Sequence, residues 1–233
     1  MTSRQTSSAT PGSATIVFLD ANVLAKPVTR TLLMVGGVPS GFHALWSESA
    51  EQEAARHLRP RAVTPADVRR RFEIPLVPTG DIAGRFASTK GNDRQILADA
   101  EAARTRFLVT EDVDDFAEAD LINLGISAVN PDLFLAERLI REAYALVIDL
   151  FVERQVAPPT TAAQFHSAVS RQHPRLFAAH ADLHNVGPTT SIHREPAVIF
   201  RGARCLGCET IVARSGELTD GLCADCRRAR DRA

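Results

Sequence analysis

The chain reads as an α/β protein built around a parallel sheet, and two observations carry that expectation. Short apolar runs alternate with amphipathic helical patterns, which implies parallel strands joined by right-handed crossovers. Two of those runs end in acids. Residues 15–19, Thr-Ile-Val-Phe-Leu, lead into Asp20 and Asn22, and residues 106–110, Arg-Phe-Leu-Val-Thr, lead into Glu111, Asp112, Asp114 and Asp115. Ligands of open α/β sheets bind in the crevice at the carboxyl ends of the strands, so acids at two such ends face one pocket. Converging carboxylates are costly to ionise together unless a cation sits among them, and a hard divalent ion, Mg²⁺ or Mn²⁺, suits oxygen donors.

The elements follow in order. After strand 15–19 comes a short helix around 29–35, ended by Gly36-Gly37. Residues 42–46 fit a second strand, and Ser47 caps a helix reaching Leu58. Thr64-Pro65-Ala66-Asp67 starts another helix, because Thr caps and Pro is tolerated at the first helical position. Residues 74–77, broken by Pro75 and followed by Pro78, fit only an edge strand or a connector. Asn92 or Asp93 opens a helix in which Ile96, Leu97, Ala100, Ala103 and Phe107 keep helical spacing. Strand 106–110, an acidic turn and a strand at 126–129 come next. One long helix from about 131 to 154 closes this region and breaks before Pro158-Pro159. Another runs from Thr160 or Thr161 to about Gln172, where Pro174 stops it. From His184 onward Gly, Pro, Ser, Thr and His mix without periodicity, which reads as a linker.

Composition narrows the function classes. A net charge of −1 argues against a uniformly basic nucleic-acid binder, yet the tail concentrates Arg201, Arg204, Arg214, Arg227, Arg228, Arg230 and Arg232. Residues 1–13 read as a disordered leader rich in Ser, Thr, Pro and Gly, without the apolar stretch of a signal peptide. No segment approaches the roughly 18–20 apolar residues of a membrane span, so a cytoplasmic protein without membrane contact is expected. All four cysteines, Cys205, Cys208, Cys223 and Cys226, fall in the last thirty residues, which does not fit a disulfide framework for the whole chain.

Those cysteines form two Cys-x-x-Cys pairs separated by fourteen residues. Four thiolates satisfy tetrahedral Zn²⁺ with no open position, the mark of a structural site. Gly207 suits the turn within the first pair and Gly221 precedes the second. A module this small cannot fold on its own core, so metal supplies its folding energy, and the preceding linker shows no pattern that would dock it rigidly. His193 is a redundant fifth donor.

Among the acids, Asp20 and Asp93 stand out. Asp93 lies one turn before Ile96 and Leu97, on the apolar face of its helix, where a carboxylate needs a partner. Glu48, Glu51 and Glu53 open the helix after Ser47. Helical periodicity puts Glu51 on the face of Ala54, Ala55 and Leu58, whereas counting six residues from Ser47 selects Glu53.

Taken together, Phe18-Leu19-Asp20-Ala21-Asn22-Val23-Leu24, Trp46-Ser47 with Glu53, Asp93-Arg94-Gln95-Ile96-Leu97-Ala98, the 109–116 segment, and Asn130-Pro131-Asp132-Leu133-Phe134-Leu135 resemble the PIN-domain nucleases, in particular their bacterial toxin-like members. The resemblance spans roughly residues 15–135. It implies a three-layer αβα fold with a central parallel sheet, here followed by a helical extension and the zinc module. The corresponding organisation is a leader at 1–13, a nuclease domain at 14–135, a helical extension at 136–183, a linker at 184–200 and the cysteine module at 201–233. It also implies Mg²⁺ or Mn²⁺ held by Asp20, Glu53, Asp93, Asp112 and Asp115. Asn22 orients Asp20 or substrate, and Thr110 offers a hydroxyl to water or phosphate. The implied activity is hydrolysis of single-stranded RNA leaving a 5′-phosphate and a 3′-hydroxyl, either as the toxin of a toxin–antitoxin pair or, as in relatives that join the domain to a zinc ribbon, in RNA processing. Implied partners are RNA, an antitoxin or other protein at the zinc module, and a second copy of the chain. Arg30, Arg69 to Arg71 and Arg94 are the arginines placed to hold the RNA backbone. A phosphohydrolase of the haloacid-dehalogenase kind fits less well, since Asn22 stands where that family needs a second Asp. A non-catalytic binding protein that keeps the fold is the remaining alternative.

Overall fold

The structure, a computed structural model, describes residues 14–60, 62–82, 84–155, 158–189, 196–212 and 215–232. The leader, His193 and Arg214 lie outside the described residues. Strands β1 (Thr15–Leu19), β2 (Phe42–Leu45), β3 (Phe107–Val109), β4 (Ser127–Val129) and β5 (Phe200–Gly202) form one sheet in the order β2-β1-β3-β4-β5. The first four are parallel, and β5 runs antiparallel to β4. The sheet is therefore mixed, not the all-parallel sheet expected. Every residue of β3 and β4 is buried, as continuous apolar runs in a covered parallel sheet require.

Helices α1 (Ala21–Leu24), α2 (Pro27–Val35), α3 (Glu48–Arg56), α4 (Pro65–Arg71), α5 (Asp93–Ala102), α6 (Glu118–Leu124), α7 (Pro131–Arg138), α8 (Arg141–Arg154), α9 (Ala162–Val169), α10 (Pro174–Ala179) and α11 (Ala224–Arg230) complete the chain. Local chemistry sets several of their ends. Ser47 caps α3 through the Ala50 amide at 3.3 Å, Thr64 and Asp67 form a capping box on α4, and Gly125 closes α6 in the left-handed region. Helix α3 packs with α1, α4 and α5, while α2, α7, α8, α9 and α10 form a second packed group. Phe42, Phe107 and Phe134 meet in the core, with ring centroids 5.1 Å apart for Phe42 and Phe134 and 5.8 Å for Phe107 and Phe134. No described helix is long and apolar enough to cross a membrane.

Three expectations are corrected by tertiary contacts. The long helix 131–154 is two helices, α7 and α8. Leu139 turns extended and packs where a side chain on Gly36 would stand, and the Ile140 amide donates to the Ser40 hydroxyl at 3.2 Å instead of continuing the helix. Pro174 starts α10 rather than ending a helix, since its missing N–H costs nothing at the first helical position. Asp132 accepts from the Arg175 and Leu176 amides, each at 3.0 Å, and so ties the start of α10 to α7.

The third correction concerns the tail, which is docked. Gly202 pairs with Ser127, Arg201 with Ala128 and Phe200 with Val129, so β5 covers the edge of β4 that would otherwise stay open. Gly202 has φ +122°, and a Cβ there would stand 2.5 Å from Ser127 Oγ and 2.7 Å from its Cα, so only glycine permits the approach. Cys205, Leu206 and Leu222 join the same hydrophobic core as the sheet.

Candidate functional site

Strand order places the acids. From β1 the chain crosses outward to β2, then returns to build β3 and β4 on the other side, so the direction of winding reverses between β1 and β3. This is the switch point at which the crevice of an open α/β sheet lies. Asp20 leaves β1 at that point and Thr110 leaves β3 beside it. Helices that connect parallel strands run back against them, which brings the first turn of α5, with Asp93, to the same carboxyl edge.

Asp20 is 7% exposed and serves as N-cap of α1. Its carboxylate accepts from the Ala21 amide at 2.6 Å and from the Thr110 hydroxyl at 2.7 Å. Thr110 Oγ1 in turn accepts from Asn22 Nδ2 at 3.2 Å and from the Asp112 amide at 3.1 Å. Asn22 Nδ2 also donates to Asp112 Oδ2 at 3.0 Å, and its Oδ1 accepts from the Glu111 amide at 3.2 Å. Asn22 and Thr110 thus stitch the end of β1 to the end of β3 and orient two carboxylates. Thr110 is fully buried, and its hydroxyl donates to Asp20 and accepts from Asn22 and the Asp112 amide. Glu111 points elsewhere and pairs with Lys26.

Neighbouring acids act on Asp20 and on Asp93. Burial foremost, then the charges of Asp93 and Glu53, raise the Asp20 carboxyl to about 6 despite the hydrogen bonds from Thr110 and Ala21 that pull it down. Burial, then the charges of Asp115, Glu53 and Asp112, raise Asp93 to about 6 as well. Asp93 thus links Asp20 and Glu53 to Asp112 and Asp115, although these acids come from the end of β1, from α3, from α5 and from the turn after β3. Their oxygens do not gather in threes within 4.8 Å. Among the described residues only the four cysteines do that.

Glu51 is engaged away from this group. It is buried, accepts from Trp46 Nε1 at 2.9 Å and pairs with Arg69 Nε at 2.9 Å, so it holds α3 to β2 and α4. Periodicity correctly marked it as inward-facing, but the inward face of α3 serves packing. Glu53 is the half-buried acid on that helix which faces Asp20 and Asp93 electrostatically.

The expected backbone-binding arginines are mostly spoken for. Arg30 is 3% exposed and donates to the carbonyls of Leu24 and Val63 at 2.9 and 3.1 Å. Arg69 pairs with Glu51, Arg70 with Asp67, and Arg94 donates to the Thr89 carbonyl at 2.6 Å. Asp99 escaped the sequence reading. It is fully buried and accepts from Ser49, the Gly80 amide and Gln95 at 2.7, 2.8 and 2.7 Å, anchoring the loop before α5.

The cysteine cluster forms the second site. Sγ atoms of Cys205, Cys208, Cys223 and Cys226 lie within 4.8 Å of one another, all as free thiols, and the Cys223 amide donates to Cys205 Sγ at 3.3 Å. A Cβ on Gly207 would meet Cys226 Sγ at 2.9 Å, so the knuckle closes only around glycine. Four clustered sulfurs can hold a metal ion. The module sits at the amino edge of the sheet, opposite the acids. Glu209 accepts from Arg138 at 2.7 Å and also bonds Arg106 and the Thr15 hydroxyl, both at strand starts. Nothing in the composition of the tail marks Glu209 as this anchor.

Comparison with known protein families, characterised proteins and solved structures returns no match.

Proposed function

We propose that the chain is a metal-dependent endoribonuclease of the PIN-like kind that its sequence resembles, with the acidic cleft as active centre. One observation carries this reading: Asp20 stands at the switch point of the sheet and Asp93 at the same carboxyl edge, and each is raised to about 6, chiefly by burial and further by the charges of neighbouring acids, Asp93 and Glu53 on Asp20 and Asp115, Glu53 and Asp112 on Asp93. A protein that holds carboxylates together against their charge stores a demand for a cation. The donors are all hard oxygens, with neither thiol nor imidazole among them, which fits Mg²⁺ or Mn²⁺ held by Asp20, Glu53, Asp93, Asp112 and Asp115. When bound, such an ion supplies the charge stabilisation and water activation that phosphodiester hydrolysis needs.

The chain's own residues do the rest. Thr110 and Asn22 keep Asp20 and Asp112 aimed across the gap between β1 and β3, and the Asn22 amide holds Asp112 without adding charge. Cleavage of a mixed single-stranded RNA pool in Mg²⁺, compared with Asp20→Asn, tests the proposal. Cleavage by the wild type that vanishes in the variant is expected. Equal cleavage by both would place the activity elsewhere, and none by either would favour a binding role.

We further infer that the cysteine site binds Zn²⁺, because four thiolates with no open position suit that ion structurally. Metal analysis of the purified protein checks it, with about one zinc per chain expected.

A further inference from the structure

We propose that Arg201 is a positioning residue through which the metal-bound tail holds the acidic turn at 112–116 in the geometry that receives a cation. The proposal rests on the reading of the cleft as a cation site.

The turn is weakly held by its own bonds. It is a single 3₁₀ turn, Val113–Asp115, closed by the Asp115 amide to the Asp112 carbonyl at 3.1 Å and the Phe116 amide to the Val113 carbonyl at 3.4 Å. Val113 and Phe116 are buried beneath it, while Asp112 and Asp115 are exposed on top. Short 3₁₀ segments have poor hydrogen-bond geometry and rely on outside contacts. Asn22 and Thr110 hold its first residue, Asp112, and one guanidinium holds its far side: Arg201 Nη1 donates to the Asp114 carbonyl at 2.9 Å and to the Phe116 carbonyl at 3.1 Å. These two carbonyls bracket Asp115, whose charge bears on Asp93.

Arg201 is in turn held by the tail. It is the middle residue of a three-residue strand, and a strand that short is marginal by itself. Three residues separate it from Cys205, whose neighbour Leu206 is fully buried. Arg204, between them, donates to the Gly125 carbonyl at 2.8 Å and the Glu209 carbonyl at 2.7 Å. Metal on the four sulfurs therefore fixes the register of β5, and β5 presents Arg201 to the turn. Metal on the sulfurs adds to the packing of Cys205, Leu206 and Leu222 in the sheet's core, so emptying the site loosens β5 and with it the clamp on the turn. The two metal sites stand at opposite edges of the sheet and are linked through one side chain.

The test uses the full chain loaded with zinc. Mn²⁺ affinity is measured by electron paramagnetic resonance, and amide exchange of residues 112–116 is followed by mass spectrometry. Arg201→Ala is expected to weaken Mn²⁺ binding about tenfold, within the usual range of coupling between sites, and to speed exchange at 112–116 while β1 and β3 stay protected and zinc content is unchanged. Arg201→Lys, which keeps a charged donor, recovers part of both effects. Removing zinc with a chelator, then supplying Mn²⁺ after the chelator is dialysed away, reproduces the Arg201→Ala result. Unchanged exchange at 112–116 in both Arg201→Ala and the zinc-free protein overturns the proposal. Absence of Mn²⁺ binding in the wild type would instead overturn the cation-site reading, and the exchange measurement still decides the role of Arg201. Should Arg201→Ala not fold, the lysine variant and the zinc-free protein carry the same comparison.

Discussion

Replacing Asp20 by Asn removes a buried charge and is expected to stabilise the protein when the cleft holds no divalent cation. Asp20 is raised from 3.8 to about 6 by burial, then by Asp93 and Glu53. That rise corresponds to about 3 kcal/mol of differential interaction between its two protonation states. The sign follows from linkage. A carboxyl raised on folding contributes stability that is fully present below its unfolded value of 3.8 and lost as pH rises through about 6, so at pH 7 the ionised form bears the whole cost. Asparagine avoids the charge but cannot keep both bonds. The Ala21 amide and the Thr110 hydroxyl both donate to Asp20, and an amide offers one oxygen. Losing one such bond costs about 1 kcal/mol, which leaves a net gain of about 1–2 kcal/mol. In a domain of this size that raises Tm by about 2–8 °C. Thermal melts of both proteins, zinc-loaded and free of Mg²⁺, at pH 7 and at pH 4 measure it. The gain is expected at pH 7, absent at pH 4, and reversed by saturating Mg²⁺, which the wild type binds more tightly. Equal Tm at pH 7, or a gain that persists at pH 4, would refute the account of Asp20 as a strained charge.

Three further outcomes are expected. Mn²⁺ affinity of the wild type falls about tenfold for each participating carboxyl between pH 7 and pH 5, since Asp20 and Asp93 both protonate near 6; Asp93→Asn removes one such step and most of the affinity, and titration by electron paramagnetic resonance reads both. Glu51→Gln lowers stability by about 1–3 kcal/mol, because it weakens the bonds to Trp46 and Arg69, and leaves Mn²⁺ binding intact, whereas Glu53→Gln does the reverse. Gly202→Ala lowers stability by more than about 1 kcal/mol, since its Cβ collides with Ser127 backbone and side chain at a positive φ; a urea melt that matches the wild type would show that β5 pairs with β4 otherwise than described.

The strand ends were legible from sequence because their signals are local. An apolar run followed by Asp20-Ala21-Asn22, or by Thr110 and acids, reports a strand leaving a sheet whatever lies around it. Ser47 and Thr64 were legible as caps for the same reason. What escaped depends on distant partners. Periodicity shows that Glu51 faces inward, but cannot show Trp46 and Arg69 waiting there. The break at Leu139 is decided by Gly36 and Ser40, about a hundred residues earlier, against a sequence that favours continuous helix. Arg30 looks like a free cation until the carbonyls of Leu24 and Val63 are seen around it. Three residues at 200–202 are too few to show a strand pattern, and the open edge of β4 that selects them is a property of the sheet alone.

Closing the sheet with β5 also orders events in time. Residues 127–129 are synthesised about seventy residues before 200–202, a delay of roughly 4–15 seconds at about 5–20 residues per second. During that interval the nascent chain carries a buried-type strand with its hydrogen-bonding edge exposed, a template for pairing with another chain. The Asp20, Asp93 and Asp112 side chains are already present, while the strand bearing Arg201 has yet to appear. β5 therefore pairs only after the four parallel strands have been made, and until it does the edge of β4 is open to another chain.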